Sequence, residues 1–283
     1  MKNLMLILCL MALLPSLAVA SCKAIVQQFT MPDVVDQTSF TIKVWNFSPN
    51  AVSRNVVLIL PGIGGESFLD QRLARNICKK GAQALVLDVV KHYDPNYVVR
   101  NLHIHNDSYL RASAAIKTIM NSLPKDPSSK QTTRYSLVGT SLGGMMAAYV
   151  AGDLASDISR SVIIVGAGNA AGVLAYSDQE KVVAQRRERM NYFGLTDQAS
   201  YEQLLQQEIT HDPLSVVGQI PSNSMFLITG NKDTTVPTPY QYELVARVAS
   251  PRHLSLRGGH VAAILKAHLF HTKKIVRFVT ETK

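Results

Sequence analysis

Tyr135-Ser136-Leu137-Val138-Gly139-Thr140-Ser141-Leu142-Gly143 is the stretch on which the fold turns. Tyr135 to Val138 reads as a strand, and the small-residue run Gly143 to Ala151 that follows predicts a helix. Between them lies a Gly-x-Ser-x-Gly pattern. Its two glycines permit a sharp strand-to-helix turn that presents the Ser141 hydroxyl at the top of a sheet. Such a pattern arises by chance in roughly one chain of this size in ten, so its weight comes from the strand before it and the helix after it. The helix N-terminus adds backbone donors and a favourable dipole for a developing oxyanion.

Working outward, apolar runs recur at Ser39 to Phe47, Val56 to Leu60, Ala84 to Leu87, Val162 to Val165, Met225 to Ile228 and His253 to Leu256. Helical patterns fall between them, at Phe68 to Lys80 and Asp107 to Met120. This alternation implies an α/β fold with a mostly parallel central sheet flanked by helices, and a site at the carboxyl ends of its strands. The rhythm breaks between Val165 and Met225. Ser177 to Phe193 and Ser200 to Thr210 read there as helices, so a helical insertion at about 170–215 is expected to cross the top of the sheet.

A serine at its ordinary pKa is a poor nucleophile and needs a base within hydrogen-bond reach. His260 is the choice, because it follows a strand and the pair Gly258-Gly259. His92, His103, His105 and His211 read as solvated loop residues, and His268 and His271 as too far along the terminal helix. The base needs a carboxylate to orient it. Asp233, just past the Met225 strand, is favoured over Asp212 and then Asp88. For an oxyanion hole the sequence offers the Leu142 N–H and an N–H from Leu60-Pro61-Gly62-Ile63-Gly64-Gly65, with Ile63 first and Gly64 as the alternative.

This ordered set resembles the α/β-hydrolase fold family across roughly residues 39 to 280. The order Ser141, Asp233, His260 matches the family's nucleophile, acid and base, and Gly230 to Pro237 and Gly258-Gly259-His260 resemble its flanking motifs. Pro61 departs from the pattern, since many members have a histidine before the oxyanion-hole glycine. The resemblance implies a cap at the insertion. It also implies a serine hydrolase that cleaves carboxylic esters, lipid or lysophospholipid esters included, through an acyl-enzyme on Ser141. A peptidase is the enzymatic alternative and would need an acid in the cap to hold a substrate amine, for which Glu180, Glu188 and Glu202 are candidates. An inactive binding protein on the same scaffold is the remaining alternative. No metal-ligand cluster or cofactor motif is present, so neither is expected; oligomeric state is left open.

Of the 283 residues 47% are hydrophobic, which excludes a disordered tail. Met1 to Ala20 reads as a secretory leader: Lys2, then an apolar run from Leu4 to Leu14, broken by Pro15. That run is shorter than the about 20 residues a membrane-spanning helix requires. Cleavage after Ala20 competes with a bacterial lipobox, Val19-Ala20-Ser21-Cys22. The lipobox is the favoured reading, with residues 1–21 as signal and a lipidated Cys22 opening the domain 22–283. Membrane association then runs through that lipid, and the protein is exported to the envelope or secreted. Without acylation, Cys22 and Cys78 are free to pair in an oxidising compartment.

Lys and Arg number 29 against 20 acids, a net charge of +9. Much of the excess sits on one predicted helix, His260 to about Thr280. Lys266, Lys273, Lys274 and Arg277 lie on its outer face, while Val261, Ile264, Leu265, Leu269, Val276 and Val279 are expected to face the core. The basic face reads as solvated, with attraction to anionic lipid as the minor alternative. Aromatic interleaving is absent, so nucleic acid is not an expected partner.

Overall fold

A computed structural model describes residues 22–49, 53–91, 93–123 and 132–281. The leader and His92 lie outside them. Strands β1 (Ala24–Pro32) and β2 (Ser39–Phe47) form an antiparallel hairpin, followed by β3 (Asn55–Leu60), α1 (Phe68–Cys78) and β4 (Gln83–Asp88). Helices α2 (Pro95–Arg100) and α3 (Ile104–Ser122) lead to β5 (Arg134–Thr140), α4 (Leu142–Asp153) and β6 (Ile158–Ile164). Four helices then intervene, α5 (Ala170–Tyr176), α6 (Glu180–Phe193), α7 (Gln198–Glu208) and α8 (Pro213–Val216). The chain ends with β7 (Met225–Gly230), α9 (Thr238–Arg247), β8 (Arg252–Leu256), α10 (His260–Phe270) and α11 (Thr272–Thr280).

The eight strands form one sheet in the order β1-β2-β4-β3-β5-β6-β7-β8, antiparallel at β1-β2 and β2-β4 and parallel from β4 to β8. Successive residues of a strand point to opposite faces. Val56, Leu58 and Leu60 of β3 therefore enter one core while Val57 and Ile59 enter the other. A strand buried on both faces reads as a near-continuous apolar run, as residues 56–60 of β3, 162–164 of β6 and 225–228 of β7 do, while β5 and β6 also bury Ser136, Arg160 and Ser161.

Three expectations need correction. β1 was not expected as a strand: it is an edge, and Ile25 and Val26 on it are exposed, so no inside-outside alternation marks it. The terminal helix is two helices, divided at His271. On α10 most of the expected core stripe is turned outward, for Ala263, Ala267 and His268 are buried while Val261, Leu265 and Leu269 face solvent; Ile264 still packs on the core. Close packing explains the rotation. A Cβ built on Gly230 of β7 would come within 3.2 Å of the Ala263 methyl, so the helix lies on the sheet through small residues. On α11 the expectation holds, with Ile275, Val276, Phe278 and Val279 buried and Lys273, Lys274 and Arg277 outside.

The lipidated Cys22 is also corrected. Its sulfur is bonded to that of Cys78 at 2.07 Å, which joins the start of β1 to the end of α1 and leaves no thiol to carry a lipid. The pairing left open by the sequence is the one observed.

Candidate active site

Ser141 stands between β5 and α4 with φ 56° and ψ −121°, a conformation that costs a non-glycine residue about 1–3 kcal/mol and persists only where surroundings impose it. The surroundings are tight. A Cβ on Gly139 would lie 2.2 Å from the Gly143 carbonyl, and one on Gly143 would lie 2.2 Å from the carbonyls of Leu60 and Pro61. Only glycine allows α4 to start so close to the end of β3. The Ser141 N–H donates to the Ile164 carbonyl at 2.9 Å, which pins the turn to β6.

His260 opens α10 directly after Gly259. The loop before it is stitched to β7's exit: Asn231 N–H donates to the Leu256 carbonyl, Lys232 N–H to the Gly258 carbonyl, and Gly258 N–H to Asn231 Oδ1. His260 Nε2 lies 2.9 Å from Ser141 Oγ and its Nδ1 lies 2.7 Å from Asp233 Oδ2. A carboxylate can only accept, so the proton belongs on Nδ1 and Nε2 is left to accept from the serine hydroxyl.

Asp233 is buried, and each lone pair is used. Oδ1 accepts from the N–H groups of Thr235 (3.0 Å) and Val236 (2.9 Å), and Oδ2 accepts from His260 and from the Gln241 amide at 2.8 Å. Gln241 is itself buried and fixed at both ends: Oε1 accepts from Gly230 N–H at 3.0 Å, and Nε2 also donates to the Val236 carbonyl at 2.6 Å. No sequence motif marks this residue.

The runner-up acids are engaged elsewhere. Asp212 accepts from the N–H groups of Asn169, Ala170 and Leu214, capping two helices, and Asp88 lies against Gly65. Two histidines also differ from expectation. His105 Nε2 is 3.1 Å from the Arg189 guanidinium, and desolvation, then that charge, pushes its pKa down to about 3. His268 is not remote: it is buried with Nε2 3.4 Å from Thr140 Oγ1, the residue before Ser141, and burial lowers its pKa to about 4.

The Pro61–Gly65 turn closes by Gly65 N–H donating to the Gly62 carbonyl at 3.0 Å. Gly62 abuts the serine, since a Cβ there would lie 3.6 Å from Ser141 Cβ. Ile63 and Gly64 form the middle of that turn, while Leu142 begins α4, where the first N–H groups have no partner within the helix.

The α5–α6 junction is fastened to the loop that carries Asp233. Ser177 Oγ donates to the Thr235 carbonyl, Asp178 N–H to the Thr234 carbonyl, and the Thr234 and Thr235 hydroxyls donate to the Asp178 carboxylate. The Thr234 hydroxyl, with smaller help from Thr235 and the charge of His260, holds that carboxyl below the usual range. Asp178 thus puts a second acid within electrostatic reach of His260, at a position that no motif marks.

A serine on the sharp turn after a central parallel strand, facing a histidine at the far end of the sheet, belongs to the α/β-hydrolase fold, and this chain has that fold. No protein-family model matches the sequence, and no curated protein does. The likeness is in three dimensions. The chain is similar to an acylaminoacyl peptidase of Pyrococcus horikoshii (TM-score 0.65, 12% identity), with 92% of this chain and 42% of that one covered. It therefore spans less than half the length of that peptidase. It is also similar to an acetyl xylan esterase from Paenibacillus sp. R4 (TM-score 0.63, 16% identity, 90% and 88% covered). A third similar structure is Est1E from Butyrivibrio proteoclasticus (TM-score 0.56, 14% identity, 88% and 95% covered). Esterases and peptidases thus share this fold.

Proposed function

We propose that the protein is a serine hydrolase that cleaves carboxylic esters, with Ser141 as nucleophile, His260 as base and Asp233 as its orienting acid. The observation that carries the reading is the continuous pair of contacts, 2.9 Å from Ser141 Oγ to His260 Nε2 and 2.7 Å from His260 Nδ1 to Asp233 Oδ2. Ser141 Oγ attacks the ester carbonyl while His260 Nε2 takes its proton. The N–H groups of Leu142 and Ile63 receive the oxyanion, and collapse expels the alcohol, protonated by His260. Water then repeats the sequence on the acyl-enzyme, with the same base, and releases the acid.

Peptide hydrolysis is the second reading. It draws on Asp178, an acid near His260 of the kind that would hold a substrate amine; Glu202, named for that role from the sequence, instead accepts from Gln206 on its own helix. The α5–α7 segment acts as the cap. The leader-like start, together with the Cys22–Cys78 bond, supports export to an oxidising compartment.

A fluorophosphonate probe, which needs an activated serine but no knowledge of substrate, tests the chemistry. The wild type labels and Ser141→Ala does not; a folded wild type that stays unlabelled refutes the assignment. Short-chain esters and aminoacyl arylamides, compared on the labelled protein, then separate the two readings.

A further inference from the structure

The largest departure from the sequence pattern is the outward turn of α10, and it leaves apolar surface where none was expected. Val261 is 66% exposed, Leu265 41%, Leu269 42% and Phe270 75%. The first three recur at every fourth residue, so they form one ridge along the helix. Ile63 is 50% and Phe68 69% exposed. Scattered exposed apolar residues are ordinary, but these stand on three neighbouring segments. Val261 follows His260 in sequence, and Ile63 stands on the turn that abuts Ser141. Phe68 heads α1, whose next residue, Leu69, meets His268 of α10 through its backbone. The ridge therefore begins beside the site and runs past the start of α1.

Charge identifies what covers it. From Arg252 to Glu281 the chain carries Arg252, Arg257, Lys266, Lys273, Lys274 and Arg277 against one acid, Glu281, which pairs with Arg277. Cations flank the helix on more than one side: Lys266 Nζ donates to the Arg257 carbonyl, Lys274 acts on His271, and Arg72, from α1, is close enough to act on His268. An apolar ridge bordered by cations suits a surface with hydrocarbon behind negative headgroups. A second copy of the chain fits poorly, because a two-fold contact sets the same cations against one another.

We propose that the outer face of α10, with Phe68 and Ile63, docks the protein on an anionic lipid surface with the Ser141 site at the edge of the contact. Lys and Arg near such a surface are drawn by its potential, and the apolar side chains enter the headgroup boundary. If the ester chemistry proposed above holds, this orientation makes lipid esters in that surface the substrate class. The docking itself needs no turnover.

The test uses protein expressed with its own leader and purified as processed. It is sedimented with vesicles of phosphatidylcholine, or of phosphatidylcholine with phosphatidylglycerol, in low and high salt. The wild type pellets with the anionic vesicles, less so in high salt and little with phosphatidylcholine alone. Leu269→Ser/Phe270→Ser, both exposed and away from the triad, lowers the partition coefficient about tenfold or more while Tm and cleavage of a water-soluble short-chain ester are unchanged. Three results would overturn the docking: no pelleting with anionic vesicles, equal pelleting of the variant, or a wild-type dimer in sedimentation velocity that the variant abolishes. A wild type that binds vesicles but cleaves no ester would count against the catalytic reading alone.

Discussion

Asp233 draws on four donors, and the one with no counterpart in any motif is the Gln241 amide. Gln241 acts through Asp233 and so is a positioning residue. Gln241→Leu removes a hydrogen bond from Oδ2 and leaves the Gly230 N–H without its acceptor, at a cost of about 1–2 kcal/mol in stability. Steady-state kinetics on an ester should show kcat reduced about tenfold with KM unchanged, because the loss falls on holding His260 as it becomes charged. A rise in KM at constant kcat would mean that Gln241 shapes binding instead. Ser141, Asp233 and His260 were legible in the sequence because each follows a strand and two are flanked by glycines that the backbone requires. Gln241 and Asp178 were not, because a single hydrogen bond made across a fold leaves no periodicity and no local motif.

Among elements, α6 is held in an unusual way. Its one buried residue is Arg189, and among the described residues no carboxylate pairs with it. The guanidinium donates twice to the Val98 carbonyl (3.2 and 2.8 Å) and once to the Tyr201 hydroxyl at 3.3 Å, with His105 Nε2 at 3.1 Å, so α2, α3, α6 and α7 meet on one side chain. Arg189→Met keeps much of the volume but leaves the Val98 carbonyl unpaired, and should cost about 2–3 kcal/mol. Hydrogen exchange locates that loss: amides of α6 and α7 should speed up while those of β3 and β5 keep their protection. Helix content in this insertion was readable from composition and spacing, whereas the rotation of α10 was not. A sequence shows which residues are apolar, but the face that turns inward was decided by how closely Ala263 and Ala267 let the helix approach the sheet.

At the scale of the molecule, the Cys22–Cys78 bond fastens the edge hairpin to the first helix across a sequence separation of 56. Chain-entropy reasoning for a loop of that length gives about 4 kcal/mol, so Cys22→Ser/Cys78→Ser should lose about 2–4 kcal/mol. Urea titration of the oxidised wild type beside the double variant measures this directly; coincident midpoints would show that the bond adds nothing. Typical domains have only about 5–15 kcal/mol in all, so the loss is a large share. The same amino-acid sequence therefore exists as two species of different endurance. A newly made chain, still reduced, opens more often and is the easier prey for a protease than the oxidised one, so the bond sets a time before which a stray copy is cleared and after which it lasts.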